Sequence, residues 1–122
     1  MRILIVDDDE DIQEVAQLAL ELQEDWTVLT ENSGELGISL AKKEQPDAIL
    51  LDVMMPQMDG MATLKELQAD ATTQSIPVIF LTAKVSSTEM ASMEELGVCG
   101  VIVKPFDPLT LGEQVRAALE NK

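Results

Sequence analysis

The sequence predicts an α/β protein: a single five-stranded parallel sheet, doubly wound so that helices cover both faces. Three observations predict this class. Short strand-like runs alternate five times with segments of helical periodicity, which is the pattern of βαβ units. Most of these runs are continuously apolar, as expected for strands that are buried on both faces. The chain has 122 residues, 46% of them hydrophobic, which suits one domain with an ordinary core.

The N-terminal part of the chain predicts two strands and two helices. The apolar run Ile3–Val6 predicts the first strand. The first helix, extending to about Gln23, is predicted from apolar residues at helical spacing, namely Ile12, Val15, Ala16, Ala19 and Leu20. Residues 26–30 predict a short second strand. The turn at residues 32–34 is expected to begin a second helix that extends to Lys43.

The rest of the chain repeats this alternation. Three further strands are predicted from the apolar runs at residues 48–51, 78–81 and 100–103. A third helix is predicted after Gly60, with inward-facing residues Met61, Leu64 and Leu67. A fourth is predicted from Ser86 to Leu96, with Gly97 as its C-terminal stop. In the last helix, Asp107 is predicted as the N-cap and Pro108 as the first residue.

Polar side chains stand where four of the five predicted strands end. They are Asp7 and Asp8 after the first strand, Asp52 at the third, Thr82 at the fourth and Lys104 at the fifth. The carboxyl ends of parallel strands share one edge of the sheet. If these four strands are neighbours, we expect the five side chains to meet in one shallow cleft.

These residue types fit phosphoryl transfer beside a metal ion. Clustered carboxylates repel one another, which raises carboxylate pKa values unless a cation lies between them. Oxygen ligands without His or Cys favour a hard ion such as Mg²⁺. Lys104 and Thr82 offer a charge and a hydroxyl to an anion. Asp52 is the candidate nucleophile, and it needs no general base because a carboxylate is already ionised.

Composition and charge argue against several other classes. The net charge of −15 disfavours direct binding of nucleic acid or of anionic membranes. The chain has no His, so Ser-His and Cys-His nucleophiles are excluded, and the lone Cys99 cannot form an internal disulfide. No apolar run approaches the ~18 residues of a membrane span, and Met1 leads into a strand without a signal-peptide pattern. We therefore expect a cytoplasmic protein.

Four short motifs together resemble the receiver domain of bacterial two-component response regulators (CheY-like), over essentially the whole chain. The motifs are Ile5–Asp8, Leu51–Pro56 with Asp59-Gly60, Leu81–Ala83 and Val103–Phe106. The resemblance implies a flavodoxin-like strand order of 2-1-3-4-5. We expect one receiver domain over residues 1–122, with no output domain in this chain. Whether such a regulator acts alone or is a fragment of a longer protein stays open.

The resemblance also implies a role for each residue of the cleft. Asp52 would accept a phosphoryl group from a partner's phosphohistidine. Mg²⁺, with Mn²⁺ as an alternative, would be bound by Asp8, Asp52 and the backbone carbonyl of Met54, with Asp7 acting through water. The phosphoryl oxygens would be contacted by the Thr82 hydroxyl, the Ala83 backbone N–H and the Lys104 ammonium group.

The function implied by the resemblance is a phosphorylation-dependent signalling switch. Such a protein is not an enzyme acting on other molecules, although it would catalyse its own aspartyl phosphorylation and dephosphorylation. The implied partners are a sensor histidine kinase or a histidine phosphotransfer protein, and downstream a protein partner or a fused output domain. No direct contact with nucleic acid or membrane is expected.

One position departs from the family pattern. Many receivers carry Tyr or Phe three residues before the lysine of the fifth strand, and this chain has Val101 there. Thr82 and Val101 are the predicted switch positions. Because Val has no ring to rotate, we expect the switch to depend on Thr82 and the loop at residues 83–87 more than on Val101.

Three alternatives compete with a phosphorylated receiver. A phosphatase of the haloacid dehalogenase type would need a second Asp two residues after its nucleophile, where this chain has Met54. A flavin or nucleotide binder would need a phosphate-cradling loop after the first strand, where this chain has three consecutive acids and no G-x-G-x-x-G motif. A pseudo-receiver that only binds partners stays open; Val101 favours it and the intact acids and lysine oppose it.

Overall fold

Five strands alternate with five helices in the computed structural model, which describes residues 1–55, 58–83 and 86–120. The strands are β1 (Arg2–Val6), β2 (Thr27–Glu31), β3 (Ala48–Asp52), β4 (Val78–Ala83) and β5 (Gly100–Lys104). The helices are α1 (Glu10–Glu24), α2 (Gly34–Glu44), α3 (Gly60–Ala69), α4 (Ser87–Glu94) and α5 (Leu111–Glu120). Pro56 of the second motif and loop residues 84 and 85 lie outside the described part of the chain.

The strands form one parallel sheet in the order β2-β1-β3-β4-β5. Strand β3 lies at its centre, paired with β1 on one side and β4 on the other. All five residues of β3 are buried, as its continuous apolar run predicts. This arrangement confirms the doubly wound α/β class and the 2-1-3-4-5 order.

The sheet separates two apolar layers, because successive side chains of a strand point to opposite faces. One layer packs under α1 and α5, and its buried strand residues include Ile3, Ile5, Leu50, Ile79 and Leu81. The other packs under α2, α3 and α4, and its buried strand residues include Leu4, Val6, Ile49, Leu51 and Phe80. The central strands are therefore covered on both faces.

The ends of the helices follow local chemistry that can be read in the sequence. The Ser33 hydroxyl caps α2 by accepting the backbone N–H of Leu36, and Asp59 caps α3 by accepting that of Ala62. Gly97, beyond the end of α4, has a φ of +96°, a conformation that glycine adopts without strain. Asp59 thus shapes the start of α3, next to the end of β3.

The prediction that Met61 faces inward is wrong, and Val15, one of the apolar residues at helical spacing in α1, is exposed as well. Val15 of α1 is 41% exposed and Met61 of α3 is 38% exposed. The buried faces of these helices are centred instead on Ala16 and Leu64, one and three residues further along. Apolar residues at the margin of a helical face can meet either core or solvent, so periodicity alone does not assign them.

The predicted start of the last helix is also wrong. Helix α5 begins at Leu111 rather than at Pro108. Asp107 instead closes a turn, in which its Oδ1 accepts the N–H of Leu109 and its carbonyl accepts that of Thr110. An Asp-Pro pair suits the start of a turn as well as the start of a helix.

Candidate functional site

Side-chain alternation brings three charged groups to the same face of the sheet. Asp7 lies two residues after Ile5, and Asp52 lies two residues after Leu50; those two apolar residues are register partners across β1 and β3. Lys104 lies two residues beyond Ile102, a core residue of the same layer. All three therefore leave the sheet on the side of α1 and α5, at its carboxyl edge.

Asp52 is held at the end of β3 and is only 4% exposed. Its Oδ1 accepts the backbone N–H of Met54 at 3.2 Å. The start of α3 packs directly on this turn, since a Cβ at Gly60 would lie 2.7 Å from Val53 Cα. The glycine thus permits a close backbone approach that fixes the position of the acid.

Lys104 forms ion pairs with two of the acids. Its Nζ lies 2.7 Å from Asp7 Oδ2 and 3.3 Å from Asp52 Oδ1. Burial lowers the pKa of the Lys104 ammonium, but the two carboxylates together outweigh burial, so its pKa lies above the usual value. The lysine therefore stays charged and links the ends of β1, β3 and β5.

The surroundings of Asp52 favour its protonated form more than water does. Burial and, next, the negative charge of Asp7 together raise the pKa of Asp52 to about 6, against the opposing effect of Lys104. Most Asp52 carboxyl groups are still ionised at neutral pH. The ionised Asp52 is available as a nucleophile, and any added positive charge nearby would stabilise this ionised form.

Three carboxylates at this edge could hold a metal ion. One oxygen each from Asp7, Asp8 and Asp52 lies within 4.8 Å of the other two. Asp7 and Asp52 are buried and Asp8 is exposed. This spacing is close enough for the three carboxylates to share one cation.

The chemistry of this donor set fits a hard divalent cation. Its ligands are all oxygens, which suits Mg²⁺ or Mn²⁺. Asp7 Oδ2 is buried and accepts no hydrogen bond of good geometry among the described residues, although Lys104 lies close to it. Three acids face one ammonium group, which leaves an excess of two negative charges when all are ionised.

The other predicted residues lie at the same ends of the neighbouring strands. Thr82 is 2% exposed and follows Leu81, the register partner of Asp52. The next residue, Ala83, is exposed at the end of β4, where it is the register partner of Lys104. Met54 donates its N–H to Asp52, while its side chain is 74% exposed.

Val101 lies apart from the charged cluster. It is partly buried, is the register partner of Phe80, and packs with the apolar layer under α2, α3 and α4. The structure therefore places this predicted switch position on the face of the sheet opposite to Asp7, Asp52 and Lys104.

Sequence reasoning missed Gln13, which contacts the backbone of the site. Its Nε2 donates to the carbonyl oxygens of Asp7 and Glu31 at 2.5 and 3.1 Å. A signal was present, because Gln13 lies three residues before Ala16 and seven before Leu20, on the buried face of α1. An uncharged polar residue on such a face indicates a specific hydrogen-bonding partner.

Comparisons with known proteins give a consistent result. The family described as response regulator receiver domain matches residues 3–116. Protein PilH of Pseudomonas aeruginosa is 36% identical over 118 residues, covering 97% of both chains. The solved structure of the chemotaxis response regulator CheY4 of Vibrio cholerae superposes with a TM-score of 0.87 at 28% identity, covering 96% of this chain and 97% of that one.

Several similar proteins are longer than this chain. The alkaline phosphatase synthesis transcriptional regulatory protein PhoP of Bacillus subtilis is 36% identical over 120 residues, which are 98% of this chain but 49% of PhoP. The probable transcriptional regulator ycf27 of Guillardia theta is 35% identical, with 46% of its length covered. The chain thus spans about half the length of these relatives. Among the described residues, no helix combines the length and apolar character needed to cross a membrane.

Proposed function

Because the chain belongs to the response regulator receiver domain family, we propose that it is a signalling switch that accepts a phosphoryl group on Asp52. One observation carries this proposal. The buried Asp52 carboxylate ends the central strand, with the Lys104 ammonium 3.3 Å away and two further acids within reach of a shared metal ion. The residues proposed as nucleophile, fixed cation and metal ligands therefore lie together at one edge of the sheet.

The proposed reaction is phosphoryl transfer from a phosphohistidine of a partner protein. An Asp52 oxygen attacks phosphorus, so that a P–O bond forms while the P–N bond to the imidazole breaks. The leaving imidazole takes up a proton. Hydrolysis by water later returns the carboxylate and inorganic phosphate. These 122 residues cannot supply the phosphohistidine themselves, because they contain no His.

The residues around Asp52 would respond to the new charge. Lys104 would replace its contact with the Asp52 carboxylate by one with a phosphoryl oxygen, and it needs little movement to do so. The Thr82 hydroxyl and the Ala83 N–H, at the end of β4, would contact the remaining oxygens. Such contacts stabilise charge on the transferring group and would draw the end of β4 toward the site.

Asp8, Asp52 and the Met54 carbonyl would hold Mg²⁺ or Mn²⁺, with Asp7 acting through water. The bound ion would offset negative charge on the transferring phosphoryl group. Within the chain itself, Asp7 and Lys104 would keep the acid cluster in place, since their ion pair is the shorter of the two that Lys104 makes.

The partners follow from the same proposal. A sensor histidine kinase or a histidine phosphotransfer protein would supply the phosphoryl group, and a downstream protein or a fused output domain would read the phosphorylated face. We expect the domain to catalyse both formation and hydrolysis of its own aspartyl phosphate. The cytoplasmic location expected from the sequence stays a prediction.

Incubation with acetyl phosphate tests the proposal directly. With Mg²⁺, intact-mass spectrometry should show one added phosphoryl group that is lost on mild alkaline treatment, because acyl phosphates hydrolyse readily. Chelation of Mg²⁺ should abolish the adduct. A chain that stays unmodified with Mg²⁺ and a donor in excess would be a pseudo-receiver, and the proposal would be wrong.

A further inference from the structure

We propose that Gln13 is a positioning residue that orients the Asp7–Asp8 bend for metal binding. Its amide group joins two strand ends, donating to the Asp7 carbonyl oxygen at 2.5 Å and to the Glu31 carbonyl oxygen at 3.1 Å. The inference rests on the proposed function, because it concerns the same metal site.

The contact acts on the peptide that links the two acids. The Asp7 carbonyl belongs to the Asp7–Asp8 peptide group, so a bond to this oxygen restrains the orientation of that plane. On the other side of the bend, Asp7 Oδ1 accepts the N–H of Asp9 at 2.9 Å. The two bonds together restrain the direction in which the Asp7 and Asp8 side chains leave the backbone.

Asp8 depends on this restraint more than Asp7 does. The Asp7 side chain is buried and paired with Lys104. The Asp8 side chain is exposed, and within the described residues no ion pair or hydrogen bond of its carboxylate holds it. Its place in the cluster is therefore set by the backbone, which Gln13 ties to the end of β2.

Among the described residues, no backbone N–H of the strand ladder donates to the Asp7 carbonyl oxygen. Asp7 N–H still donates to Glu31 O at 3.0 Å, which extends the β1–β2 pairing by one residue. The Asp7 carbonyl lies beyond β1, and Gln13 supplies its donor from α1. The same amide group satisfies Glu31 O, so one side chain joins β1, β2 and α1.

The test compares Gln13→Met with Gln17→Met. Met has nearly the same length as Gln but donates no hydrogen bond. Gln17, one turn further along α1, is also partly buried, but among the described residues its amide donates only to the Glu21 side chain, at 3.3 Å. Gln13→Asn is the second variant. It keeps the amide group, but its side chain is one methylene shorter and does not reach the two carbonyl oxygens.

The readouts are Mg²⁺ and Ca²⁺ dissociation constants from calorimetry, together with amide hydrogen exchange of the metal-free protein. Mg²⁺ demands near-octahedral geometry, whereas Ca²⁺ tolerates irregular sites. Gln13→Met should weaken Mg²⁺ binding about tenfold, as loss of an outer partner does at metal sites, and Ca²⁺ binding much less. The Asp9 amide should exchange faster. Gln17→Met should change none of these.

Each other outcome overturns the inference in a recognisable way. Wild-type affinity and Asp9 exchange in both Gln13 variants would show that Gln13 orients nothing. If Gln13→Met weakens Mg²⁺ and Ca²⁺ binding equally and speeds amide hydrogen exchange throughout the chain, the role of Gln13 is merely structural. If the wild-type protein itself binds no Mg²⁺, the proposed metal site fails, and the inference fails with it.

Discussion

At the scale of single residues, the site is governed by the balance of charge around Asp52. Three acids meet one lysine in a largely buried place, and burial together with Asp7 raises the Asp52 pKa to about 6. An acid with a raised pKa destabilises the folded state when it ionises. The cluster therefore carries a cost in the absence of added cations, which a metal ion or a protein partner can offset.

The first prediction is that Asp52→Asn stabilises the metal-free protein and flattens its pH dependence. The folded state retains the Asp52 proton between about pH 4 and pH 6, while the unfolded chain, with a pKa of 3.8, releases it. This contribution to stability is complete below pH 4 and is lost as pH rises through 6. It is on the order of 1–3 kcal/mol.

Chemical denaturation between pH 4 and pH 8, with a chelator present, measures this effect. The wild-type free energy of unfolding should fall across pH 4–6 relative to that of Asp52→Asn. Glu66→Gln is the control, because Glu66 is exposed on α3. Parallel curves for wild type and Asp52→Asn would contradict the raised pKa.

The second prediction is that Asp8→Asn loses most of the stabilisation by Mg²⁺. An ion that binds only the folded state at a hundredfold excess over its Kd adds about 2.7 kcal/mol, which raises Tm on the order of 10 °C. Asp11→Asn is the matched control, since Asp11 is an exposed acid nearby but outside the cluster. Calorimetry measures Tm with and without Mg²⁺. If Mg²⁺ raises the Tm of Asp8→Asn as much as that of the wild type, the metal binds elsewhere.

At the scale of elements, the site depends on how helices begin against strand ends. Helix α3 starts at Gly60 directly on the turn after β3, capped by Asp59. Helix α4 is more loosely attached, because Met93 is its only buried residue. The helix nearest Asp52, α3, is therefore tightly packed, whereas α4, which follows β4, buries little apolar surface.

The third prediction is that Gly60→Ala destabilises the protein by about 2 kcal/mol, because the added Cβ meets backbone atoms of Asp52 and Val53 that cannot move aside. Gly112→Ala is the control. There the added Cβ meets the Glu24 side chain from its Cγ outward, which can move aside where a backbone cannot, and Ala favours the helix. If urea denaturation shows equal losses in the free energy of unfolding for the two variants, the close packing at the end of β3 is unimportant.

The fourth prediction concerns the switch. Val101 packs on the face of the sheet opposite to the charged cluster and has no ring to rotate. Hydrogen exchange with and without beryllofluoride, a phosphoryl mimic, should therefore change at the loop of residues 83–87 and little at β5. A large change centred on β5 that Val101→Ala abolishes would show that Val101 carries the coupling.

At the scale of the whole molecule, the strand order explains why so much could be predicted. Parallel strands in the order 2-1-3-4-5 bring β1, β3, β4 and β5 together, so residues read at four separate strand ends become neighbours. Apolar runs are a strong signal for buried strands, and the polar residue that ends a run marks the carboxyl edge of the sheet. This pattern predicts Asp7, Asp8, Asp52 and Lys104 as neighbours.

What could not be predicted depends on three-dimensional packing. Whether Val15 and Met61 meet the core or solvent is decided by the exact rotation of a helix, which the apolar pattern defines only coarsely. Asp107-Pro108 suits a turn and a helix start equally. The place of Gln13 on the buried face of α1 indicates that it has a hydrogen-bonding partner, but the sequence does not identify that partner as the carbonyl groups at the ends of two strands.

Net charge affects how the molecule meets its partners. The chain carries −15, so basic surfaces on a partner protein should accelerate association at low ionic strength. The same charge opposes contact with nucleic acid and with further copies of the chain. The acid cluster at the sheet edge contributes to this negative charge, and phosphorylation would increase it.

The fifth prediction, and the most direct test of the account, is where the phosphoryl group is attached. After reaction with acetyl phosphate and Mg²⁺, borohydride reduces an acyl phosphate to the alcohol, so the modified Asp becomes homoserine. Peptide mapping by mass spectrometry should find homoserine at position 52 alone, and Asp52→Asn should yield none. Homoserine at Asp7, Asp8 or any other acid of the wild-type protein, or at several acids equally, would contradict the assignment of Asp52.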